Sequence, residues 1–176
     1  MIPVLSCEEA LLLDKTTIDS GHLSEKTLMD NAGRSIAQFI IEYIPDPFNQ
    51  QFVILAGPGN NGGDGIICHH YLLEYGANSE LLLLDNKMKG SWIFEEYLIH
   101  SDSINVYSNT YTFSHYNYYV DGIFGVGLKR EIKGHYKTII EEINNFPHII
   151  SIDVPSGIYG DSGMASRTSI HAEYTL

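Results

Sequence analysis

The chain is short of the residues that several kinds of chemistry need. Its two cysteines, Cys7 and Cys68, stand far apart and form neither a metal-binding nor a redox spacing. No disulfide framework is possible to read from them, and a reducing compartment, the cytoplasm, is the expected home. Basic residues are scarce: ten Lys and Arg stand against twenty-two Asp and Glu, a net charge of −12. Nucleic acid and anionic membrane surfaces are therefore disfavoured as partners. No apolar run approaches the ~20 residues of a membrane span. Met1-Ile2-Pro3-Val4 shows no basic region followed by a long apolar one, so no secretory signal is evident. The eight histidines include no H-x-x-x-H pair, and there is no G-x-S-x-G elbow. Neither a histidine-held catalytic metal nor covalent hydrolysis is indicated. No internal repeat or low-complexity linker divides the 176 residues, which read as one domain of a size that buries about 70% of its unfolded-chain surface.

What the chain does have is a strand, a glycine-rich turn and a helix over residues 52–73, FVILAGPGNNGGDGIICHHYLL. The apolar run Phe52-Val53-Ile54-Leu55-Ala56 predicts a buried strand, and an amphipathic segment resumes at Ile66. Such a unit places backbone N–H groups and a helix N-terminus at the carboxyl end of a strand, where open α/β sheets bind phosphate-bearing ligands. Gly57, Gly59 and Gly62 satisfy G-x-G-x-x-G, a pattern that is unspecific alone and gains meaning from the flanking strand and helix. No Lys-Ser/Thr pair follows, which excludes a nucleoside-triphosphate P-loop. Asn60 and Asn61 add amide groups, and Asp64 brings a carboxylate that favours the helix dipole but repels a phosphate placed directly on it. Asp64 is read as taking a ribose hydroxyl or as capping the helix. The plain alternative is a tight turn with no ligand.

The remaining pattern predicts strands alternating with helices. Ser6-Cys7-Glu8-Glu9 is a capping box that opens a helix to about Ser20, with Ala10, Leu13, Thr17 and Ile18 near one face. A second helix from Ser24 to about Tyr43 carries Leu28, Ala32, Ile36, Phe39 and Ile40 at helical spacing. Gly33 inside it suggests a close packing contact, and Arg34 a meeting with a carboxylate or phosphate. Strands are expected at 80–85, 103–107, 118–121, 148–153 and 171–176, with helices at 90–100 and 134–145 and an undecided Tyr-rich stretch at 109–117. Asp85, at the end of the second strand, is placed to take an adenosine ribose or to sit in a turn. The alternation indicates an α/β, three-layer, mostly parallel Rossmann-like sheet.

Three strand-end loops should then converge: Asn60-Asn61-Gly62-Gly63-Asp64, Asp121 to Arg130, and Asp153-Val154-Pro155-Ser156-Gly157. Asp153, read as a buried carboxylate at a strand end, is a candidate general acid/base, or else caps the turn after it. Asn61, Asp121 and Ser156 offer three hard oxygens suited to an alkali or alkaline-earth cation. Lys129 and Arg130 either close on a diphosphate or form a solvated pair.

Four motifs in their order, Leu28-Met29-Asp30-Asn31-Ala32-Gly33-Arg34, Gly57-Pro58-Gly59-Asn60-Asn61-Gly62-Gly63-Asp64-Gly65, Asp121-Gly122-Ile123-Phe124-Gly125-Val126-Gly127-Leu128 and Ile152-Asp153-Val154-Pro155-Ser156-Gly157, resemble those of the NAD(P)HX epimerases, the YjeF N-terminal domain family. The resemblance spans nearly the whole chain. It implies a Rossmann-like homodimer that interconverts the R and S hydrates of NADH and NADPH, with a dehydratase as functional partner restoring the S form. It further implies that Asn60, Asn61, Gly62, Gly63 and Asp64, together with Gly125, Val126, Gly127, Leu128, Lys129 and Arg130, hold the substrate. Asn61, Asp121 and Ser156 would bind one potassium ion per subunit, and Asp153 would contact the substrate near the reacting centre. From that position Asp153 is expected to assist departure and return of the ring hydroxyl. Val126 replaces a frequent Thr or Ser, and Glu131 a frequent Pro. Family members usually continue several tens of residues past a strand like 171–176, so a sheet lacking its last strand or strands is expected. The kinase-like dehydratase domain of many bacterial members has no counterpart here. The competing expectations are a non-catalytic, nucleotide-binding dimeric scaffold of the same fold and an NAD-dependent oxidoreductase. The retained Asn60, Asn61, Asp64, Asp121, Asp153 and Ser156 favour the enzyme.

Overall fold

The apolar run before the glycines forms the central strand. In a computed structural model that describes residues 5–86, 91–97 and 103–176, β1 (Gln51–Ala56) is buried at every position after the first. A strand buried on both faces needs cover on both, and the sequence supplies it from helices. β1 pairs in parallel with β2 (Asn78–Leu83) on one side and β4 (Tyr118–Gly122) on the other. β3 (Ile104–Val106) lies outside β2, while β5 (Ile149–Ser151) and β6 (Tyr174–Thr175) follow β4. Every pairing is parallel and the order is β3-β2-β1-β4-β5-β6. The order reverses between β1 and β4, which opens a crevice at their carboxyl ends.

Two apolar cores flank the sheet. On one face α2 (Glu25–Tyr43), α3 (Asn60–Glu74) and α4 (Trp92–Tyr97) pack with Phe52, Ile54, Leu81, Leu83 and Ile150. On the other, α5 (His135–Ile143) packs Ile139, Ile140 and Ile143 against Val53, Leu55, Leu82 and Tyr119. The Tyr-rich 109–117 stretch is turn and coil beneath this second core, with Phe113 buried in it. The predicted 90–100 helix is observed as Trp92–Tyr97, and the rest of that prediction lies outside the described residues.

Helix α2 is turned by about one residue from the face read in the sequence. Its buried stripe is Met29, Gly33, Ile36, Ala37 and Ile40. Leu28, Ala32 and Phe39 instead line the crevice. The pattern holds both sets because the helix has two partners, the sheet core and the site. At Gly33 any Cβ would overlap Ile67 of α3, so the glycine is there for the helix crossing. Arg34 meets a carboxylate of its own helix: it pairs with Asp30, which also accepts from Tyr71 Oη at 2.7 Å and Tyr97 Oη at 2.8 Å. This clasp ties α4 to α2 and α3.

The capping box of α1 (Cys7–Asp19) is formed, with Ser6 N donating to Glu9 Oε2 at 2.8 Å and Glu9 N to Ser6 Oγ at 3.3 Å. The face carrying Ala10, Leu13, Thr17 and Ile18 is not buried. No residue of α1 is buried, and Leu11, Leu12 and Leu13 are 49%, 60% and 56% exposed. The helix stands at the rim of the crevice, where Ala10, Leu11 and Asp14 line it. Its first turn is tied down by Cys7 N donating to Asp161 Oδ1 at 2.7 Å.

Candidate functional site

Helix α3 begins earlier than the sequence pattern indicates, at Asn60 with Gly59 as N-cap, so Asn-Asn-Gly-Gly-Asp is its first turn rather than a loop before it. Gly63 N donates to Gly59 O at 3.1 Å, which leaves the N–H groups of Asn60, Asn61 and Gly62 without an intrahelical acceptor. The positive end of the helix, with Asn60 and Asn61, lines a cleft of about 1410 Å³ over the β1–β4 switch. Asp64 makes no cap, so of its two sequence readings the N-cap fails: its side chain lines the cleft.

Beneath the cleft lies a closed polar network. Asp121, at the end of β4, is fully buried. Its Oδ2 accepts from Ser151 Oγ and Ser156 N, each at 2.8 Å. Its Oδ1 accepts from Ser156 Oγ at 2.6 Å and Ile123 N at 3.2 Å. Ser156 Oγ in turn accepts from Phe124 N at 2.8 Å, which pins the loop after β4 to the loop after β5. Burial pushes the Asp121 carboxyl up from the ordinary range, and the four donors pull against it. Beside this network Asn61 is 9% exposed, and neither its Oδ1 nor its Nδ2 has a hydrogen-bond partner. An amide buried with both ends unmet costs about 1–3 kcal/mol per group, so a ligand or ion is its natural complement.

The walls of the cleft carry the other acids. Asp153 is exposed, not buried as the sequence reading has it, because it sits in the turn after β5 with φ +66°. Its Oδ2 accepts from Val126 N at 2.7 Å, so the third loop holds it in the cleft. A Cβ at position 125 would overlap Asp153 Oδ2 and crowd Asn61 Oδ1 at 3.3 Å, so Gly125 is the point where the three loops meet. Across from them Asp64 is half-buried, and its carboxyl is pushed up to about 7 by burial, then by the charges of Asp153 and Asp14.

Most of the sequence-predicted residues line the cleft: Asn60, Asn61, Asp64, Gly125, Val126, Gly127, Leu128, Lys129, Arg130 and Asp153. Asp121 and Ser156 lie below it. Gly62 faces the Gly57 carbonyl and Gly63 faces Met29 and Ile93, so both serve as backbone and packing positions. Asp85 does not line the cleft. It accepts from Tyr136 Oη at 3.2 Å, and Tyr136 reaches the cleft in its place. Sequence reasoning missed Tyr136, Phe124 and Lys133 on one wall and Leu28, Ala32, Phe39 and Asp14 on the other. The second apolar stripe on α2 was the available signal for Leu28, Ala32 and Phe39, and nothing in the sequence marked Asp14 of α1.

The sequence profile of the family described as YjeF-related protein N-terminus matches residues 25–176. An NAD(P)H-hydrate epimerase of Lentilactobacillus buchneri is 33% identical, over 98% of this chain and 81% of its own length. One of Elusimicrobium minutum is 31% identical, over 93% and 79%. A bifunctional NAD(P)H-hydrate repair enzyme of Thermofilum pendens is 31% identical over 98% of this chain, which spans 35% of that relative's length. The crystal structure of the yeast protein ynu0 superposes with a TM-score of 0.83 at 25% identity, over 99% of this chain and 79% of the yeast chain.

Proposed function

The chain belongs to the YjeF-related N-terminal family, and from that premise we propose that it is an isomerase that interconverts the R and S hydrates of NADH and NADPH in nicotinamide nucleotide repair. The observation that carries the reading is the pair of carboxylates, Asp64 and Asp153, brought by two loops to one cleft that also offers helix N–H groups and the cations Lys129 and Arg130. The dinucleotide's phosphates are matched by the helix N-terminus at Asn60 and Asn61 and by Lys129 and Arg130. Epimerisation at the hydroxyl-bearing ring carbon requires the C–O bond to break, the oxygen to leave as water with a proton, and water to return on the other face. The ring nitrogen shares its lone pair with the carbon and the ring becomes cationic. Asp153, fixed by Val126 N, sets a negative charge beside that cation, and Asp64, poised near neutrality, is able to hold or release the proton.

A potassium ion, one per subunit, fits the floor of the cleft. Asn61 Oδ1 is a buried oxygen with no partner, and Asp121 keeps a raised carboxyl despite four donors, so a cation would satisfy the first and balance the second. Asn61, Asp121 and Ser156 supply the hard oxygens that such an ion takes. Its bound charge would steady the loops and favour the anionic ligand.

The direct test mixes R-NADHX with an S-specific dehydratase, the expected functional partner, and its nucleotide, and follows recovery of NADH absorbance with and without potassium. Acceleration by this protein supports the epimerase. No acceleration from folded protein assigns it to the alternative reading, a non-catalytic nucleotide-binding scaffold. Asp153→Asn is expected to cut turnover by roughly 10²-fold or more while ligand affinity holds, the size of a lost acid–base or charge-stabilising group. Full activity in that variant removes Asp153 from the mechanism.

A homodimer is part of the same proposal. Leu12 and Leu13, 60% and 56% exposed on a helix with nothing buried, are the apolar surface that a second copy would cover. Leu12→Glu is expected to leave the thermal midpoint of the dilute monomer within a degree or two and to shift the light-scattering mass from two chains to one. A mass unchanged by the substitution moves the interface elsewhere.

A further inference from the structure

The cleft has a wall that the ring chemistry does not use. Phe124 and Tyr136 are both half-buried, both line it, and their rings meet edge to face with centroids 5.0 Å apart. Tyr136 is held from behind, its hydroxyl donating to Asp85 Oδ2 at 3.2 Å. His135 beside it is bonded through Nε2 to the Leu84 carbonyl at 3.2 Å, so the start of α5 is bolted to the end of β2. Lys129, Arg130 and Lys133 line the same wall, three of the ten cations in a chain of net charge −12. The acids at this end are spoken for: Asp85 faces Tyr136, and Glu131 pairs with Lys133 at 3.7 Å and Arg167 at 3.6 Å.

The two ends of the proposed substrate differ in the same way as the two walls. A hydrated nicotinamide ring has lost its aromatic system and becomes cationic as it reacts, so it has little to gain from stacking and much from carboxylates. Adenine is aromatic and neutral, and it is joined to phosphates. Aromatic faces with cations beside them take a nucleobase and its phosphates. We propose that Phe124 and Tyr136 form the subsite for the adenosine end of the dinucleotide, with Lys129, Arg130 and Lys133 around its phosphates and Asp85 acting through the Tyr136 hydroxyl as a positioning residue. This rests on the epimerase reading for the identity of the other end only.

The experiment is calorimetric titration of the full chain with two probes that split the substrate, ADP-ribose and nicotinamide mononucleotide. Tyr136→Leu keeps the apolar volume and removes the π face. It is expected to weaken ADP-ribose roughly tenfold or more, the size of one lost base stack, and to weaken the mononucleotide less than twofold. Phe124→Leu is expected to act in the same direction and decides the matter alone if Tyr136→Leu fails to fold by circular dichroism. Losses below threefold for ADP-ribose in the folded variants, equal losses for both probes, or no uptake of millimolar ADP-ribose by the unaltered protein each overturn the subsite. The epimerase reading is judged separately by the NADH-recovery assay. Selective loss of ADP-ribose without epimerisation keeps the subsite and removes the activity, and epimerisation without that selective loss does the reverse.

Discussion

Two aspartates at one sheet edge have opposite surroundings. Asp121 ends β4 with four donors on its two oxygens and no exposed surface. Asp64 sits one loop away on the first turn of α3, half-buried, facing the charges of Asp153 and Asp14 rather than donors. The first carboxylate joins three segments of chain, β4, β5 and the loop holding Ser156. The second joins no other segment among the described residues, and its charge is disfavoured by its place. A carboxylate met by four donors is first a structural tie, whatever cation it also helps to hold, whereas an unsatisfied one in a cleft is held there at a cost to the fold and marks the place where substrate or a proton is handled.

The largest effect is expected from removing the tie. Asp121→Ala leaves the Ser151 and Ser156 hydroxyls and the Ser156 and Ile123 N–H groups facing a void. At about 1–3 kcal/mol for each unmet buried group, with partial relaxation, the loss is roughly 3–5 kcal/mol, read from the urea midpoint at constant slope. A loss below about 1 kcal/mol would mean that the two loops are fastened by something other than this network, and the contrast with Asp64 would dissolve.

The second effect has the opposite sign. The folded Asp64 binds its proton up to about 7, above the unfolded value, so its contribution to stability is fully present below about pH 4 and is lost as the pH rises through 7. Asp64→Asn removes the charge and with it that loss. At pH 8 the variant should be more stable by on the order of 2 kcal/mol, after allowing for water that reaches a half-buried group, and near pH 4 the two proteins should melt together. Parallel melting curves at both pH values would show that Asp64 finds partners that this cleft does not display.

This contrast also separates what the residues told in advance from what they did not. The strand–turn–helix unit, the parallel sheet and the meeting of three loops follow from local pattern: β1 is a continuous apolar run, and each loop begins where such a run ends. That Asn61, Asp121 and Ser156 come close together is legible because each follows soon after an apolar run that ends at the same sheet edge. Burial of single side chains is not legible. Asp153 reads as buried because it closes the predicted buried strand 148–153, yet it lies in the turn after β5 with φ +66° and is exposed. The face of Ala10, Leu13, Thr17 and Ile18 on α1 gives no sign in the sequence of how little it buries, and none of these residues belongs to either core. Tyr136 escapes because its role depends on where α5 lands against Asp85, which no local pattern fixes.

The smallest effect tests whether the open carboxylates feel each other. Burial is the leading cause of the upward push on Asp64 and the charge of Asp153 the next, with Asp14 third. Asp153→Asn keeps the shape of the turn, since the amide oxygen can still accept from Val126 N. It removes the second cause and leaves the first. The Asp64 carboxyl carbon, followed by NMR across a pH series, should therefore titrate lower in the variant than in the unaltered protein and still above an ordinary aspartate. No downward movement would mean that the two carboxylates do not share the cleft electrically, and the division between a proton-holding Asp64 and a charged Asp153 would fall. A return all the way to an ordinary value would mean that repulsion alone, and not the half-buried wall of α3, holds the proton there.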